Sequence, residues 1–213
     1  MNASAELFDV SQQTPVRLPL PGADVVYHAH LDALPAAPEI LLRELVDHIP
    51  WQQQTIRIAG QPRLQPRLTA WYGDPGTRYT YSGLTLDPAP WTALLAKIRA
   101  SVEARSGHTF NSVLLNYYRD ERDAMGMHAD NEPELGEQPV IASVSLGAVR
   151  TLVFQPRKGR VANGAAFRLP LASGSLLLMA GDTQRNWKHG VDRERTTCGP
   201  RINLTFRRIY ARA

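Results

Sequence analysis

Two histidines and one aspartate, His128, Asp130 and His189, are the side chains in this sequence best suited to metal chemistry. Residues two apart in a strand face the same side, so a strand through His128 would aim both His128 and Asp130 at one ion, and the distant His189 could close the third corner. Two imidazoles and a carboxylate on one face of a metal leave positions open for a cosubstrate and oxygen, as a non-haem Fe(II) oxygenase requires. The same trio around a bound water could serve a zinc hydrolase. A lone His-x-Asp pair arises by chance, and histidine is more often a hydrogen-bonded structural residue, so the neighbours of the pair decide its meaning.

Those neighbours include a stretch beyond His189 in which Arg201, Asn203, Thr205 and Arg207 alternate with Ile202, Leu204 and Phe206. Alternation in a strand puts the four polar residues on one face. Two inward arginines are costly unless each meets an anion, and a dicarboxylate offers one at each end. Asn116 and Tyr118, two apart on an upstream strand, could donate hydrogen bonds to the same ligand. Internal salt bridges to Asp or Glu are the competing reading, and a zinc hydrolase leaves the arginine pair unexplained.

The elements that must position these groups follow from hydrophobic periodicity. Ile40, Leu41, Leu45, Val46 and Ile49 recur at helical spacing behind Pro38, and Trp91, Leu94, Leu95, Ile98 and Val102 do so ahead of Gly107, which predicts helices over 38–49 and 91–105. Segments 55–58, 68–72 and 78–81 are β-rich and separated by Gly and Pro turns. From Ser112 onward the chain reads as short strands at 113–118, 140–146, 151–154, 165–169, 175–179 and 202–209, which suggests a sandwich or closed jelly roll and not an alternating βαβ fold. The fold class is therefore mostly β with flanking helices (α+β). The 213 residues, 43% of them hydrophobic, suffice for one sizeable core, so a single domain is expected over 25–213 after a surface arm at 1–24.

The formal net charge of +4 and pI near 9.5 favour a polyanionic partner. Basic residues cluster at Arg57, Arg63, Arg67 and Arg78, and again at Arg150, Arg157, Lys158 and Arg160, where a phosphate backbone could be gripped. The single cysteine, Cys198, allows no intrachain disulfide and is assigned no role. The N-terminus carries Glu6 and Asp9 and reads as no signal peptide, and no apolar run approaches membrane-helix length. A cytoplasmic, membrane-free protein, monomeric in the simplest case, is the expectation.

The order NYY (116–118), MHAD (127–130), WKHG (187–190) and PRINLTFR (200–207) resembles the catalytic core of the AlkB-like Fe(II)/2-oxoglutarate-dependent dioxygenases. Upstream, QPRLTAWYG (65–73), YTYSGLTL from Tyr79, GHTFNS from Gly107 and the run from Ile141 resemble the animal homologues that act on alkylated DNA and RNA. The resemblance implies a double-stranded β-helix (jelly-roll) core over about 110–210 and a nucleotide-recognition lid over about 50–85. It implies iron held by His128, Asp130 and His189, and 2-oxoglutarate held distally by Arg201 and Tyr118. Arg207 and Asn116 would steady the metal-proximal end, with Asn203 and Thr205 beside them. Tyr79, Thr80, Tyr81, Ser82, Asn131 and Glu132 would meet the base. The implied reaction consumes O2 and 2-oxoglutarate, hydroxylates an N-alkyl carbon of the 1-methyladenine or 3-methylcytosine type, and releases aldehyde, succinate and CO2. A hydroxylase of a protein or small molecule is the alternative. A bulky aromatic wedge stands in the lid of the duplex-specialised homologue, whereas this chain reads Ile58, Ala59, Gly60, so single-stranded DNA or RNA is the expected partner.

Overall fold

The computed structural model describes residues 14–58, 60–77, 79–81, 84–162 and 164–210. In chain order, β1 (Val16–Arg17) and β2 (Asp24–His28) precede helix α1 (Pro38–His48). Strands β3 (Thr55–Ile58), β4 (Gln61–Leu64), β5 (Leu68–Gly73), β6 (Tyr79–Tyr81) and β7 (Leu84–Leu86) lead to helix α2 (Ala93–Ser106). Then come β8 (Ser112–Tyr118), β9 (Met125–His128), β10 (Ile141–Gly147), β11 (Arg150–Pro156), β12 (Phe167–Leu171) and β13 (Leu176–Ala180). The one-turn helix α3 (Thr183–Asn186), β14 (Trp187–Val191) and β15 (Arg201–Arg207) complete the described elements.

A seven-stranded sheet ordered β1-β2-β13-β10-β15-β8-β5 packs against a four-stranded sheet ordered β12-β11-β14-β9. Every pairing between these strands is antiparallel. The two layers form the jelly roll that the short strands suggested, the double-stranded β-helix that the family resemblance implied. Val25, Tyr27, Ile141, Leu177 and Met179 of the larger sheet meet Leu152, Phe154, Leu169, Leu171 and Val191 of the smaller one to make the inner core. A second core lies on the other face of the large sheet, where Leu41 and Leu45 of α1 and Leu95, Ile98 and Val102 of α2 cover Val144, Leu146, Ile202, Leu204 and Phe206. Two separate hairpins, β3-β4 and β6-β7, stand apart from these sheets.

Both helices follow their signals. Pro38 sits in the first turn of α1. The Thr92 side chain accepts from the Leu95 amide at the start of α2, and Gly107 (φ 72°) ends it in the left-handed region that glycine adopts without strain. Two sequence expectations need correcting. Of the arm expected over 1–24, residues 1–13 lie outside the described residues, and 14–24 are tied down and not loose on the surface, because Val16 and Arg17 pair with Tyr27 and Val26, and Leu18 and Leu20 are buried in the inner core. The last strand ends at Arg207, short of the expected Ile209, because the side chain of Asn111 takes over the ladder, donating to the Ile209 carbonyl and accepting from its amide.

Candidate metal and cosubstrate site

Strands β9 and β14 bring the two histidines together, since His128 and His189 are directly paired across the ladder. Their rings lie 4.4 Å apart. Gly190 makes this close approach possible: a Cβ there would sit 2.8 Å from the Met125 carbonyl and 2.9 Å from Met127 Sδ. His128 Nδ1 is 2.9 Å from the Gly126 carbonyl, and a proton shared there leaves Nε2 as the ligand atom. Burial, and then the neighbouring His189, lower the His128 pKa to about 4, so its imidazole is neutral at pH 7, as metal ligation requires.

Asp130 completes the cluster, with ligand atoms from the three residues all within 4.8 Å of one another. The strand alternation invoked for the His-x-Asp pair does not place it, because β9 ends at His128 and Asp130 lies past it. Its amide donates to Gln184 Oε1 at 3.0 Å, and its Oδ1 accepts from Arg207 Nη2 at 2.6 Å. Burial alone would raise its pKa; the Arg207 charge and the two histidines outweigh it, and the carboxyl is held well below the usual range. Oδ2 is buried without a hydrogen-bond partner among the described residues and lies 3.5 Å from His189 Nε2.

The four polar residues of β15 share the inner face, as alternation predicted. Opposite them in register stand Tyr118 (for Arg201), Asn116 (for Asn203), and, on β10, Ser145 (for Asn203) and Ser143 (for Thr205). Arg201 is 1% exposed; its Nη2 donates to Ser145 Oγ, while Nε and Nη1 are buried without a hydrogen-bond partner among the described residues. Burial, with Arg150 adding to it, pushes its pKa below the ordinary guanidinium value. The Tyr118 ring meets both guanidiniums, with its centroid 5.1 Å from Arg201 and 5.6 Å from Arg150, and its hydroxyl donates to Met125 Sδ. A buried cation with spare donors is a receptor for an anion. Arg207 differs, because its anion is Asp130 of the same chain, and here the internal-salt-bridge reading holds.

Asn203 and Thr205 are tied into the sheet: Thr205 donates to Asn203 Oδ1, and Asn203 donates to Ser143 Oγ. Asn116 Oδ1 accepts from Arg67 Nε at 2.7 Å, leaving its buried Nδ2 without a hydrogen-bond partner among the described residues. One pocket is lined by Tyr118, His128, Asp130, His189, Arg201 and Arg207, with Asn203, Thr205, Met125 and Met179 beside them. This pocket therefore fits its implied contents: three hard or borderline ligand atoms at one end, and unneutralised donors at the other.

On the substrate side, Asn131 is exposed and Glu132 half-buried, directly after Asp130. Tyr79, Thr80 and Tyr81 form β6, paired with β7; Ser82 lies outside the described residues, as do Arg78 and Ala59. The basic clusters divide. Arg67 and Arg150 are buried, Arg67 on Asn116 and Arg150 on the carbonyls of Asp123 and Asp192, so neither can grip phosphate. Arg63, Lys158 and Arg160 are exposed. Tyr72 is buried in the helix-side core and offers no face to a base. Trp187 is packing, with its Nε1 donating to the Pro21 carbonyl. Residues that sequence reasoning missed are Gln184, Arg67, Met125, Ser143 and Ser145. The two serines left a signal, being small polar residues at alternate positions of an apolar strand; Gln184 left none.

Two histidines and an aspartate gathered inside a double-stranded β-helix, beside a buried arginine awaiting an anion, define the class of non-haem iron oxygenases that use an oxo-acid cosubstrate. A family model described as 2OG-Fe(II) oxygenase superfamily matches residues 25–207. The chain belongs to that superfamily, in its AlkB-like group. It is 43% identical over 176 residues to human alpha-ketoglutarate-dependent dioxygenase alkB homolog 3, a match covering 80% of this chain and 61% of that protein. With the DNA oxidative demethylase ALKBH2 of Mus musculus it shares 40% identity over 79% of this chain and 72% of the relative. The solved structure of OsALKBH1 superposes with a TM-score of 0.61 at 16% identity, covering 92% of this chain and all (100%) of that one, which speaks to the fold. Among the described residues, no helix is long and apolar enough to cross a membrane.

Proposed function

We propose that this chain is an Fe(II)- and 2-oxoglutarate-dependent demethylase of N-alkylated nucleobases, of the 1-methyladenine and 3-methylcytosine type, in DNA or RNA. The observation that carries the cosubstrate half is Arg201, a buried guanidinium with donors to spare, in the same pocket as the His128, Asp130 and His189 cluster. Bound iron and 2-oxoglutarate would supply the activation of O2 and the oxidation of the N-alkyl carbon. The chain's residues do the rest. His128, Asp130 and His189 hold the metal; Arg201 and Tyr118 hold the distal carboxylate. Arg207 keeps Asp130 ionised and oriented, and Asn116 Nδ2, aimed by Arg67, donates toward the metal-proximal end of the cosubstrate.

The nucleic-acid half rests on the names of the relatives and on the chain's basic surface. A base must leave its stack to reach a buried metal, so the two hairpins over about 50–85 act as the lid, with Tyr79, Thr80, Tyr81, Ser82, Asn131 and Glu132 receiving the base. Arg63, Lys158 and Arg160 contact the backbone phosphates. Without an aromatic wedge at Ile58-Ala59-Gly60, duplex opening is uncompensated and single strands are preferred.

The deciding experiment incubates a methylated oligonucleotide with the protein, Fe(II), ascorbate and 2-oxoglutarate, and reads loss of one methyl mass together with succinate formed. No mass change with wild-type protein would sink the substrate assignment. Repair of a duplex faster than its matched single strand would sink the strand preference.

A further inference from the structure

Asp130 sits beyond the end of β9, so the β ladder does not fix its backbone, yet its buried amide needs an acceptor. That acceptor is Gln184 Oε1, at 3.0 Å. Gln184 is itself 2% exposed. The orientation of its amide is chemically fixed: an N–H can be met only by the oxygen, and the nitrogen is left facing Met179 Sδ at 3.6 Å. The helix that carries it, α3, is pinned from several directions. Thr183 Oγ1 accepts from the Asp24 amide and donates to the Ala180 carbonyl, and Asn186 Nδ2 donates to the Gly22 carbonyl. From just past the end of β11, the Arg157 amide donates to the Asn186 carbonyl, and Arg157 Nη1 to that of Gln184.

We propose that Gln184 is the positioning residue of the metal centre, holding the backbone of the carboxylate ligand while Arg207 holds its side chain. This rests on the iron reading given above. The two supports are complementary: Arg207 occupies Oδ1, Gln184 fixes the peptide, and Oδ2 is the atom left to point at the metal. Groups that orient a ligand change metal affinity by about 10–100-fold when removed.

The test is Mn(II) affinity, read by electron paramagnetic resonance with 2-oxoglutarate present, alongside thermal unfolding. Gln184→Met keeps the volume and removes the acceptor; its Mn(II) Kd is expected to rise by about 10–100-fold in a protein that still melts cooperatively. A folded Gln184→Met variant within twofold of wild type overturns the proposal, since a purely structural glutamine would alter melting and not metal affinity. Gln184→Glu keeps an oxygen at the same place and is expected to stay within about threefold. Should Gln184→Met not fold, Gln184→Glu decides, and a loss of tenfold or more overturns the proposal. Wild-type protein that binds no Mn(II) would instead overturn the iron reading itself.

Discussion

The two faces of β15 do opposite work with neighbouring residues. Outward, Ile202, Leu204 and Phe206 are fully buried under the helices, with Phe206 stacked on Trp91 and tilted against Phe110. Inward, Arg201, Asn203, Thr205 and Arg207 are also almost wholly buried, yet two of them are charged. The apolar face contributes stability at about 1.5–3 kcal/mol for each fully buried large side chain. The polar face costs stability unless each group finds a partner, and it finds them unevenly. Arg207 has Asp130, Thr205 has Asn203, and Arg201 keeps spare donors. A strand that is close-packed on one side can carry a strained charge on the other, and that charge marks where a ligand belongs.

Substituting Arg207 tests the contrast hardest. Arg207→Met leaves the Asp130 carboxylate buried without its counterion, a loss of about 3–5 kcal/mol for breaking a buried pair. Both faces of the strand should register it: the melting temperature falls, and turnover of a methylated oligonucleotide drops by about 10–100-fold as the ligand carboxylate is displaced. Unchanged Mn(II) affinity and unchanged melting together would break the assigned partnership.

Arg201 and Leu204, three residues apart, should separate the two roles. Arg201→Met removes a buried cation that folding alone does not satisfy, so melting is expected to stay level or rise, since apolar replacement of buried charge is often neutral or stabilising by about 1–4 kcal/mol. The KM for 2-oxoglutarate should meanwhile climb by about thirtyfold or more, as removal of one partner of a buried ionic contact costs about 2–5 kcal/mol. Leu204→Ala should do the reverse, costing about 2–5 kcal/mol of stability by cavity formation with the cosubstrate KM within about twofold. A shared phenotype in these two variants would mean that the faces are not independent.

This division was largely legible in the sequence. The alternation of RINLTFR assigns each residue to its face before any coordinates, and the rule that an inward arginine needs an anion singles out Arg201 and Arg207. What alternation could not supply was which anion. Arg207 has an internal one, contributed by Asp130, and sequence separation alone carries no hint of that contact. The same limit applies to Arg67 and Arg150, which read as surface cations in basic clusters; burial is set by the strands around them, and no local pattern reports it. Val16 and Arg17 escaped notice because a two-residue edge strand is too short to show any period. Asp130 reached the cluster for a different reason than the one the spacing offered, through Gln184 and Arg207 and not through the pleat of β9.

The smallest effect expected on this strand is also the sharpest probe of its polar face. Thr205 Oγ1 donates to Asn203 Oδ1 at 2.8 Å, and Asn203 Nδ2 donates onward to Ser143 Oγ at 2.6 Å, a chain that ends in the wall of the pocket. Thr205→Val keeps the shape and the β-branched preference for strand but leaves Asn203 Oδ1 buried without that donor, at a cost of about 1–3 kcal/mol. Asn203→Leu alone removes the acceptor as well as its donor. If the pair acts as a unit, the double variant should be no less stable than Thr205→Val by itself, a non-additivity that a double-mutant cycle of thermal unfolding resolves. Additive losses would mean that the hydroxyl and the amide serve separate partners, and the inner face would then be a set of independent contacts instead of a connected floor under the cosubstrate.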